Sequence, residues 1–502
     1  MPFFRLAVIL GCVACFVLAT ASLVTAEQAK RPNIIFILTD DQGWSSTSIQ
    51  MHPEMSASKE PYFETPAIER LALEGRRFSS GYAPAPLCTP TRRSVLVGMS
   101  TARTRGSEFA SEFDPKPHLT IPRALKKVDP NYRCAHFGKW GEQMNALPDE
   151  VGYDESDGDT GNLTGNRGLG IMTAPNGRPA FDRSQPMAIC DDPKLTDTLT
   201  KRSIDFIERQ TKAGKPFYLQ LSAYAVHNQL QANEATAKKY EAKGTPPRDF
   251  PPIFAAMMED MDAGIGQILD ALDRLKIADN TYIFLSADNG GSPHQLFGMP
   301  KRDEYSPQSP NYPLRGYKQD LLEGGIRVPF IVRGPGIAPG SWCHEPVAQY
   351  DLLPTFVELA GGNSEKLLKE ANATIDGGSF KSLLLEGKGE VKRPLPGLVF
   401  HRPDKSVSVY RSGDMKVYHD WWKDETYLYD LSKDIGEQKD LAAEQPEKFA
   451  EMKTTLMTYL KEVNAEEYSR ERILQLREQQ RRLAANQRAR AERERAAEAS
   501  KE

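Results

Sequence analysis

A thiol and a guanidinium stand four residues apart in the segment Leu87-Cys88-Thr89-Pro90-Thr91-Arg92. A cysteine offers a nucleophile or a site for covalent modification, and an arginine offers several donors to anionic oxygens. Pro90 disfavours helical backbone at Thr89 but is tolerated in the first turn of a helix, so a helix can begin beside Cys88. Its N-terminus would favour an anion near the thiol. A buried structural cysteine ahead of a helix is the alternative interpretation.

Oxygen-bearing side chains follow two stretches that predict buried strands. Residues 33–38 and 281–286 are almost continuously apolar, which is typical of central strands covered on both faces. The side chains that follow these stretches are Asp40, Asp41, Asp288 and Asn289. Open α/β sheets bind ligands at the carboxyl ends of their strands, and adjacent carboxylates repel each other unless a cation balances them. A helix cap would explain one carboxylate but not a pair. Oxygen ligands favour a hard cation, with Ca²⁺ as the best fit and Mg²⁺ as the alternative.

Three further side chains could hold an anion or transfer a proton. Lys139 stands between a glycine and a tryptophan, His227 follows the predicted strand 216–222, and Lys318 lies in a basic loop. A lysine beside a tryptophan is ordinarily a surface residue, and a lone histidine is more often structural than catalytic. Their role therefore depends on whether the fold brings them to Cys88.

Taken together, these motifs resemble the type I sulfatase family, in which the cysteine is oxidised to formylglycine. The resemblance rests on the Cys-x-Pro-x-Arg signature extended to Gly98, on Asp-Asp-Gln-Gly-Trp at 40–44, on Gly-Lys-Trp at 138–140 and on the block 314–330. It implies an α/β, alkaline-phosphatase-like fold with a large mixed central sheet between helices. A small C-terminal antiparallel sheet with a helix would follow.

The resemblance also implies a role for each side chain. Residue 88 would work as a hydrated aldehyde, one hydroxyl attacking sulfur and the second expelling sulfate. The sulfate would be held by Arg92, Lys139 and Lys318, with His227 as a further contact. Either His227 or Lys318 would protonate the departing alcohol. The metal ligands would be Asp40, Asp41, Asp288, Asn289 and the modified Cys88.

The chain departs from the family pattern at one position. The family reads Gly-Lys-Trp-His, and its histidine contacts the formylglycine hydroxyl, whereas Gly141 stands there in this chain. We hypothesise that water, His136 or His294 takes over that role.

The N-terminus and the pattern of segments predict four regions. Residues 1–26 combine a basic start, an apolar stretch and small residues before a cleavage site, which is typical of a signal peptide. We expect export, to the periplasm or the exterior if the source is bacterial, and no stable membrane span. A catalytic domain would occupy 27–394, a subdomain of short alternating strands and a helix 395–464, and a charged helical tail 465–502.

The net charge bears on the class of partner, and the cysteines bear on possible disulfides. The chain has 64 basic and 68 acidic residues, a net charge of −4, which gives no indication of a nucleic-acid partner. The cysteines beyond the predicted signal peptide are Cys88, Cys134, Cys190 and Cys343. Two disulfides could form among them in an oxidising compartment, or one if Cys88 is converted.

The resemblance thus implies hydrolysis of sulfate esters, on a sulfated carbohydrate or another sulfate-ester substrate, after maturation by a formylglycine-generating enzyme or an anaerobic equivalent. Residues 153–180 are rich in Gly, Asp, Asn and Thr and predict a long surface loop that could line the substrate pocket. One alternative is a phosphomonoesterase or phosphodiesterase of the same superfamily, although such enzymes commonly use several metal-binding histidines. A non-catalytic secreted sulfoglycan-binding protein is the other, and Gly141 is the feature that favours it.

Overall fold

The computed structural model of the chain describes residues 31–167, 187–248, 250–292, 305–471, 473–475 and 478. The predicted signal peptide, most of the charged tail and His294 lie outside these residues. The regions predicted for the catalytic domain and its C-terminal subdomain pack as parts of one compact unit. The predicted boundaries between them stay predictions. Within the described residues, no helix is both long and apolar enough to cross a membrane.

Strands alternate with helices for most of the chain and follow one another near its end. The strands are β1 (Asn33–Thr39), β2 (Arg76–Phe78), β3 (Gly81–Tyr82), β4 (Arg133–Gly138), β5 (Glu155–Ser156), β6 (Met187–Ile189), β7 (Phe217–Ser222), β8 (Leu230–Ala232), β9 (Thr281–Ala287), β10 (Phe330–Arg333), β11 (Ser341–Cys343), β12 (Val347–Ala348), β13 (Leu398–Arg402), β14 (Val407–Ser412), β15 (Met415–Asp420) and β16 (Glu425–Asp430). The α-helices are α1 (Pro66–Glu74), α2 (Cys88–Val97), α3 (Thr101–Thr104), α4 (Ile121–Val128), α5 (Asn162–Arg167), α6 (Thr196–Lys212), α7 (Glu234–Lys243), α8 (Pro252–Arg274), α9 (Glu323–Ile326), α10 (Leu352–Leu359), α11 (Ser364–Glu370), α12 (Lys381–Leu385) and α13 (Pro446–Glu462).

Eight strands form the central sheet, in the order β11-β2-β10-β9-β1-β7-β4-β5. The neighbours of β1 run parallel to it, and β10 runs antiparallel to both β9 and β2, so the sheet is mixed. Successive side chains of β1 point to opposite faces. Phe36 belongs to a core with residues of α2, α4 and α10, and Ile37 to a core with residues of α1, α6 and α8. Helices therefore cover both faces, as the sequence predicts for this fold class.

Strands β13 to β16 form a separate antiparallel sheet in sequential order. Val399, Val417 and Leu428 point to one face and pack with Leu456 of α13. Because side chains alternate, the opposite face carries another set, and this set meets the catalytic part of the chain. Its members are Phe400, Arg402, Val409, Arg411, Lys416 and Tyr418. The small sheet is thus a layer between α13 and the residues around α9.

A buried ion cluster joins this small sheet to α9. Lys416 Nζ lies 2.9 Å from Glu323 Oε1 and 2.8 Å from Glu437 Oε1, and all three side chains are inaccessible to solvent. Lys416 also donates to the carbonyl of Leu321 at 3.0 Å. Arg327 Nε donates to Glu323 Oε2 at 2.6 Å, so both glutamate oxygens are paired. Charges buried this completely are tolerated only when paired, which ties the two parts together.

Two expectations from the sequence change. Residues 153–167 are not a plain surface loop, because Tyr153 is buried and stacks on Tyr218, and because β5 and α5 form within them. Residues 168–180 lie outside the described part of the chain.

The four cysteines Cys88, Cys134, Cys190 and Cys343 are all free, so the disulfides that the sequence allowed do not form. In one possible pairing, Cys134 of β4 and Cys343 of β11 are six strand steps apart, about 29 Å at ~4.8 Å per step. A disulfide needs Cα atoms within about 7 Å.

Replacing Lys416 by methionine should lower the free energy of unfolding by about 3–5 kcal/mol, because Glu323 and Glu437 would lose the cation they share. Lys423→Met is the matched control, since the Lys423 side chain is 57% exposed and should change stability by less than about 0.5 kcal/mol. Chemical denaturation followed by tryptophan fluorescence measures both. Equal stability of the two variants would contradict the role given to the ion cluster.

Candidate active site

The carboxyl ends of β1 and β9 bring the oxygen-bearing side chains together. Thr39 pairs in register with Ala287, and each is the last residue of its strand. The backbone N–H of Asp41 donates to Asp288 Oδ1 at 3.1 Å, and Asn289 Nδ2 donates to Asp41 Oδ1 at 2.7 Å. The acidic pair after β1 and the acid and amide after β9 therefore form one buried group.

Helix α2 begins at Cys88 and places Arg92 one turn further along. Arg92 donates to Asp288 Oδ2 from Nε at 3.2 Å and from Nη2 at 2.7 Å, and to the carbonyl of Lys139 from Nη1 at 2.5 Å. The Cys88 side chain is fully buried, and burial raises the pKa of its thiol in spite of Lys139 and Lys318 nearby. Cys88 and Arg92, which are one helical turn apart, therefore both lie near the buried carboxylates.

Both lysines singled out in the sequence are tied to these carboxylates. Lys139 Nζ lies 2.5 Å from Asp40 Oδ2, and Lys318 Nζ lies 2.7 Å and 2.8 Å from the two carboxylate oxygens of Asp41. Lys139 follows β4, and Lys318 donates its backbone N–H to Gly291 at 3.1 Å, beyond the end of β9. Segments distant in sequence therefore converge on one point at the edge of the sheet.

The charges at this point balance. Three carboxylates, Asp40, Asp41 and Asp288, face three cations, Arg92, Lys139 and Lys318. Burial alone would raise the pKa of Asp40, but Lys139 and the other cations hold that pKa well below its usual range. Burial and then neighbouring Asp40 raise the pKa of Asp288 to about 6. A divalent cation added to this balanced set would leave an excess of two positive charges, which suits an anionic substrate.

The residues present fit a hard cation. Oδ1 of Asp40 and Oδ1 of Asn289 are buried and accept no hydrogen bond within the described part of the chain. Buried oxygens are almost always satisfied, so two unsatisfied ones beside two further carboxylates indicate ligands rather than structural groups. Carboxylate and amide oxygens are what Ca²⁺ and Mg²⁺ take.

His227 also joins this group, and the sequence did not place it among the metal ligands. Its Nε2 lies 3.8 Å from Asp41 Oδ2, and His227, Asp40 and Asp41 offer ligand atoms within 4.8 Å of one another. Burial, with Lys318 as the next cause, lowers the pKa of His227 to about 3, so the ring is neutral near pH 7. Nδ1 lies 2.7 Å from the carbonyl of Asn228, which only accepts, so Nδ1 carries the proton. Nε2 is then a lone-pair acceptor.

Lys194 is a residue near the site that the sequence analysis missed. Its side chain is buried, and its backbone N–H donates to Gln231 Oε1 at 2.8 Å. Burial lowers the pKa of Lys194 to about 7, and Asp40 is the next contributor, in the opposite direction. Lys194 follows Asp-Asp-Pro, which resembles an ordinary exposed turn, so local pattern offered no signal for a buried lysine here.

Gly141 occupies the place of the family histidine in a conformation that suits glycine. Its φ is +139°, and a Cβ atom there would lie 3.1 Å from Met144 Cγ and 3.3 Å from Thr89 Oγ1. His136, one candidate for the missing function, is buried against Trp140 and donates to or accepts from Ser222 Oγ at 3.1 Å. Neither of these two contacts of His136 is with Cys88.

A buried cysteine, two lysines paired with carboxylates and further acids at the carboxyl edge of a mixed sheet form an arrangement suited to hydrolysis of anionic esters. The chain belongs to the sulfatase family, because the family model described as Sulfatase matches residues 32–362. It is 29% identical to N-acetylgalactosamine-6-sulfatase of Sus scrofa over 430 residues, which cover 81% of this chain and 75% of that protein.

Solved structures agree on the fold. Ps i-CgsB in complex with k-i-k-neocarrahexaose superposes with a TM-score of 0.68 at 24% identity, covering 86% of this chain and 93% of that one. BT4656 in complex with its substrate D-glucosamine-2-N,6-O-disulfate gives a TM-score of 0.62 at 20% identity, covering 87% and 98%. The fold is alkaline-phosphatase-like, as the sequence predicts.

The protein is a sulfuric ester hydrolase, as the family model and the similar sulfatases show. The two alternative functions, a phosphoesterase and a non-catalytic binding protein, are therefore not retained.

Restoring the family residue by Gly141→His should lower activity rather than raise it. A side chain at φ +139° costs about 1–3 kcal/mol of backbone strain, and it would press on Met144 and Thr89 beside Cys88. Sulfate release from an aryl sulfate and the melting temperature should both fall. Gly413→His is the control, because Gly413 also has a positive φ, of +56°, but lies in the left-handed helical region with open space around it, so the substitution should cost less. Higher turnover in Gly141→His would show that the position is simply a lost catalytic residue.

Proposed function

We propose that this sulfatase removes sulfate from a carbohydrate, using a formylglycine made from Cys88 and one bound Ca²⁺. The observation that carries the proposal is the fully buried Cys88 at the start of α2, close to Lys139, Lys318 and Asp288. The substrate class is supported by the names of the relatives, one an N-acetylgalactosamine-6-sulfatase and one bound to a sulfated glucosamine.

The state of the thiol supports conversion of Cys88. A thiolate rather than a thiol is the nucleophile in cysteine chemistry, and burial raises the pKa of Cys88 above its usual value. As an unmodified residue it would remain protonated and unreactive. Formylglycine supplies a hydrated aldehyde whose hydroxyl attacks sulfur. Export through the predicted signal peptide at 1–26 forms part of the proposal and rests on the sequence pattern alone.

Arg92, Lys139 and Lys318 bind the sulfate group in this proposal. Without a metal ion, their charges are compensated by Asp288, Asp40 and Asp41. A bound Ca²⁺ supplies Lewis-acid stabilisation of the sulfate oxygens. It would be held by oxygens of Asp40, Asp41, Asp288 and Asn289. Carboxylates that face a metal leave the lysine N–H groups available to sulfate, where they stabilise charge as it develops.

Lys318 and His227 divide the proton transfers. Lys318 is a cation at neutral pH, since its pKa is held above the usual value: burial alone would lower it, but Asp41 outweighs burial. It therefore carries a proton that it can donate to the departing alcohol once Asp41 faces the metal and no longer raises the pKa of the lysine. His227 is neutral, with Nε2 unprotonated, and is better suited to accept a proton than to donate one. This division supplies an acid and a base without a histidine at position 141.

Coexpression with a formylglycine-generating enzyme should convert Cys88. The peptide that contains residue 88 should become about 18 Da lighter, because an aldehyde oxygen replaces the S–H and one hydrogen. Cys88→Ala should show no such change and should lose at least about 10³-fold in sulfate release. Cys134→Ala, which alters another buried free thiol, is the control and should be converted normally. Full turnover with an unconverted Cys88 would refute the formylglycine mechanism.

Calcium should raise the melting temperature of protein stripped with EGTA. Ligand at about 100-fold over its dissociation constant adds about 2.7 kcal/mol of stability. Asp40→Asn should abolish the shift, because it removes a buried carboxylate from the cage. Asp270→Asn, whose side chain is 76% exposed, is the control and should keep it. A larger shift with Mg²⁺ than with Ca²⁺ would overturn the choice of metal, and a Ca²⁺ shift retained in Asp40→Asn would overturn the site.

A further inference from the structure

A second cluster of charged side chains lies next to the sulfate site and takes no part in the chemistry above. Arg402, the last residue of β13, has a side chain that is 3% exposed. Its Nε donates to Glu108 Oε1 at 3.2 Å and to Asp404 Oδ1 at 3.3 Å, and its Nη2 donates to the same two carboxylates. Glu108 belongs to the loop between α3 and α4, so the cluster joins the small sheet to the catalytic part.

Backbone contacts attach this cluster to both sides of the sulfate site. Arg402 Nη1 donates to the carbonyl of Gln319 at 3.0 Å, and Gln319 directly follows the sulfate-binding Lys318. Gln319 in turn donates its N–H to the carbonyl of Pro86 at 2.8 Å, two residues before Cys88. The carbonyl of Glu108 accepts from Arg93 Nη1 at 2.6 Å, and Arg93 follows Arg92. The cluster therefore lies at the rim of the site.

The cluster differs from a purely structural ion pair in its exposure. Two carboxyl groups share one guanidinium, burial and a hydrogen bond with Asp404 raise the pKa of Glu108 to about 7, and the Glu108 and Asp404 side chains are 35% and 15% exposed. The ion cluster around Lys416, by contrast, is completely enclosed. Partly exposed carboxylate oxygens beside an anion site can accept hydrogen bonds from hydroxyl groups but repel another carboxylate.

We propose that Glu108 and Asp404 bind hydroxyl groups of the sugar ring that carries the sulfate ester, with Arg402 as the residue that positions them. The inference rests on the proposed function and sharpens its substrate class to sulfated neutral sugars. Uronic acids should be poorer substrates, because their carboxylate would lie beside Glu108 and Asp404 while Arg402 is already paired with both of these groups. Hydrogen bonds to charged acceptors are among the stronger ones in proteins, so loss of either acceptor should be measurable.

The test compares sugar substrates with a substrate that has no sugar. Glu108→Gln and Asp404→Asn keep the shape of each side chain and remove its charge. The probes are 4-nitrophenyl sulfate, the 2-, 3-, 4- and 6-sulfates of galactose, the 3-, 4- and 6-sulfates of N-acetylgalactosamine and N-acetylglucosamine, and glucuronate 2-sulfate. We expect kcat/KM for the best neutral sugar, divided by that for the aryl sulfate, to fall about 10- to 100-fold in both variants. The fall should be mainly in KM.

A matched control separates this effect from altered stability. Asp414→Asn removes a carboxylate that lies 3.8 Å from Arg411 of the same small sheet, and it should leave the ratio unchanged. Equal losses on sugar and aryl substrates in Glu108→Gln and Asp404→Asn would overturn the inference in favour of a structural role. A parent enzyme that prefers glucuronate 2-sulfate, or that hydrolyses the aryl sulfate but none of the sugars, would also overturn it.

The proposed function fails in a different way. If the parent with converted Cys88 releases sulfate from none of the probes, including the aryl ester, then the mechanism is at fault. Hydrolysis of the aryl ester by the parent supports the proposed function independently of the rim. The two failures therefore have separate signatures in the same experiment.

Discussion

The mutual neutralisation of three carboxylates and three cations at the carboxyl ends of β1 and β9 is the constraint on which the site depends. Neither set could be buried alone, because an unpaired buried charge costs several kcal/mol. The cations come from α2, from the end of β4 and from the segment before α9, so each of these elements must be in place before the others are stable there. The same balance prepares the site for a metal ion and then for an anion, since any added cation creates an excess of positive charge.

The small C-terminal sheet is part of the same arrangement and not an appendage. The two-residue period of its strands places Arg402, Arg411 and Lys416 on the face that meets the catalytic part. Lys416 is enclosed by glutamates of both parts, and Arg411 donates to Ser80 Oγ at 3.3 Å, next to β3. Arg402 reaches the loop that follows Lys318. The sheet therefore supports the loop that carries Lys318 from behind, through Arg402 and Lys416.

The sequence could predict the parts of this structure that depend on local pattern. The apolar runs of β1 and β9 are long and unbroken, so their ends, and the acids that follow, could be located without a structure. Lys194 and the cluster around Arg402 could not, because each depends on segments far apart in the chain. The free cysteines could not be predicted for the same reason. The order of the strands in the sheet determines which thiols lie close together, and the spacing of cysteines in the sequence does not reveal that order.

The residues around position 141 are packed to suit the glycine that replaces the family histidine. The N–H of Gly141 donates to the carbonyl of Thr160 at 3.0 Å, and Met144 occupies the space that a side chain at 141 would enter. The loop is thus adapted to glycine, and a histidine could not be added without moving it. In the proposed mechanism, compensation comes from groups already held at the site, because near neutral pH Lys318 carries a proton and His227 can accept one. The opposite shifts of their pKa values have different causes: burial, with Lys318 next, lowers the pKa of His227, whereas Asp41 outweighs burial and raises the pKa of Lys318. His227 is buried beside the Lys318 cation, whereas Lys318 is buried against the carboxylate of Asp41.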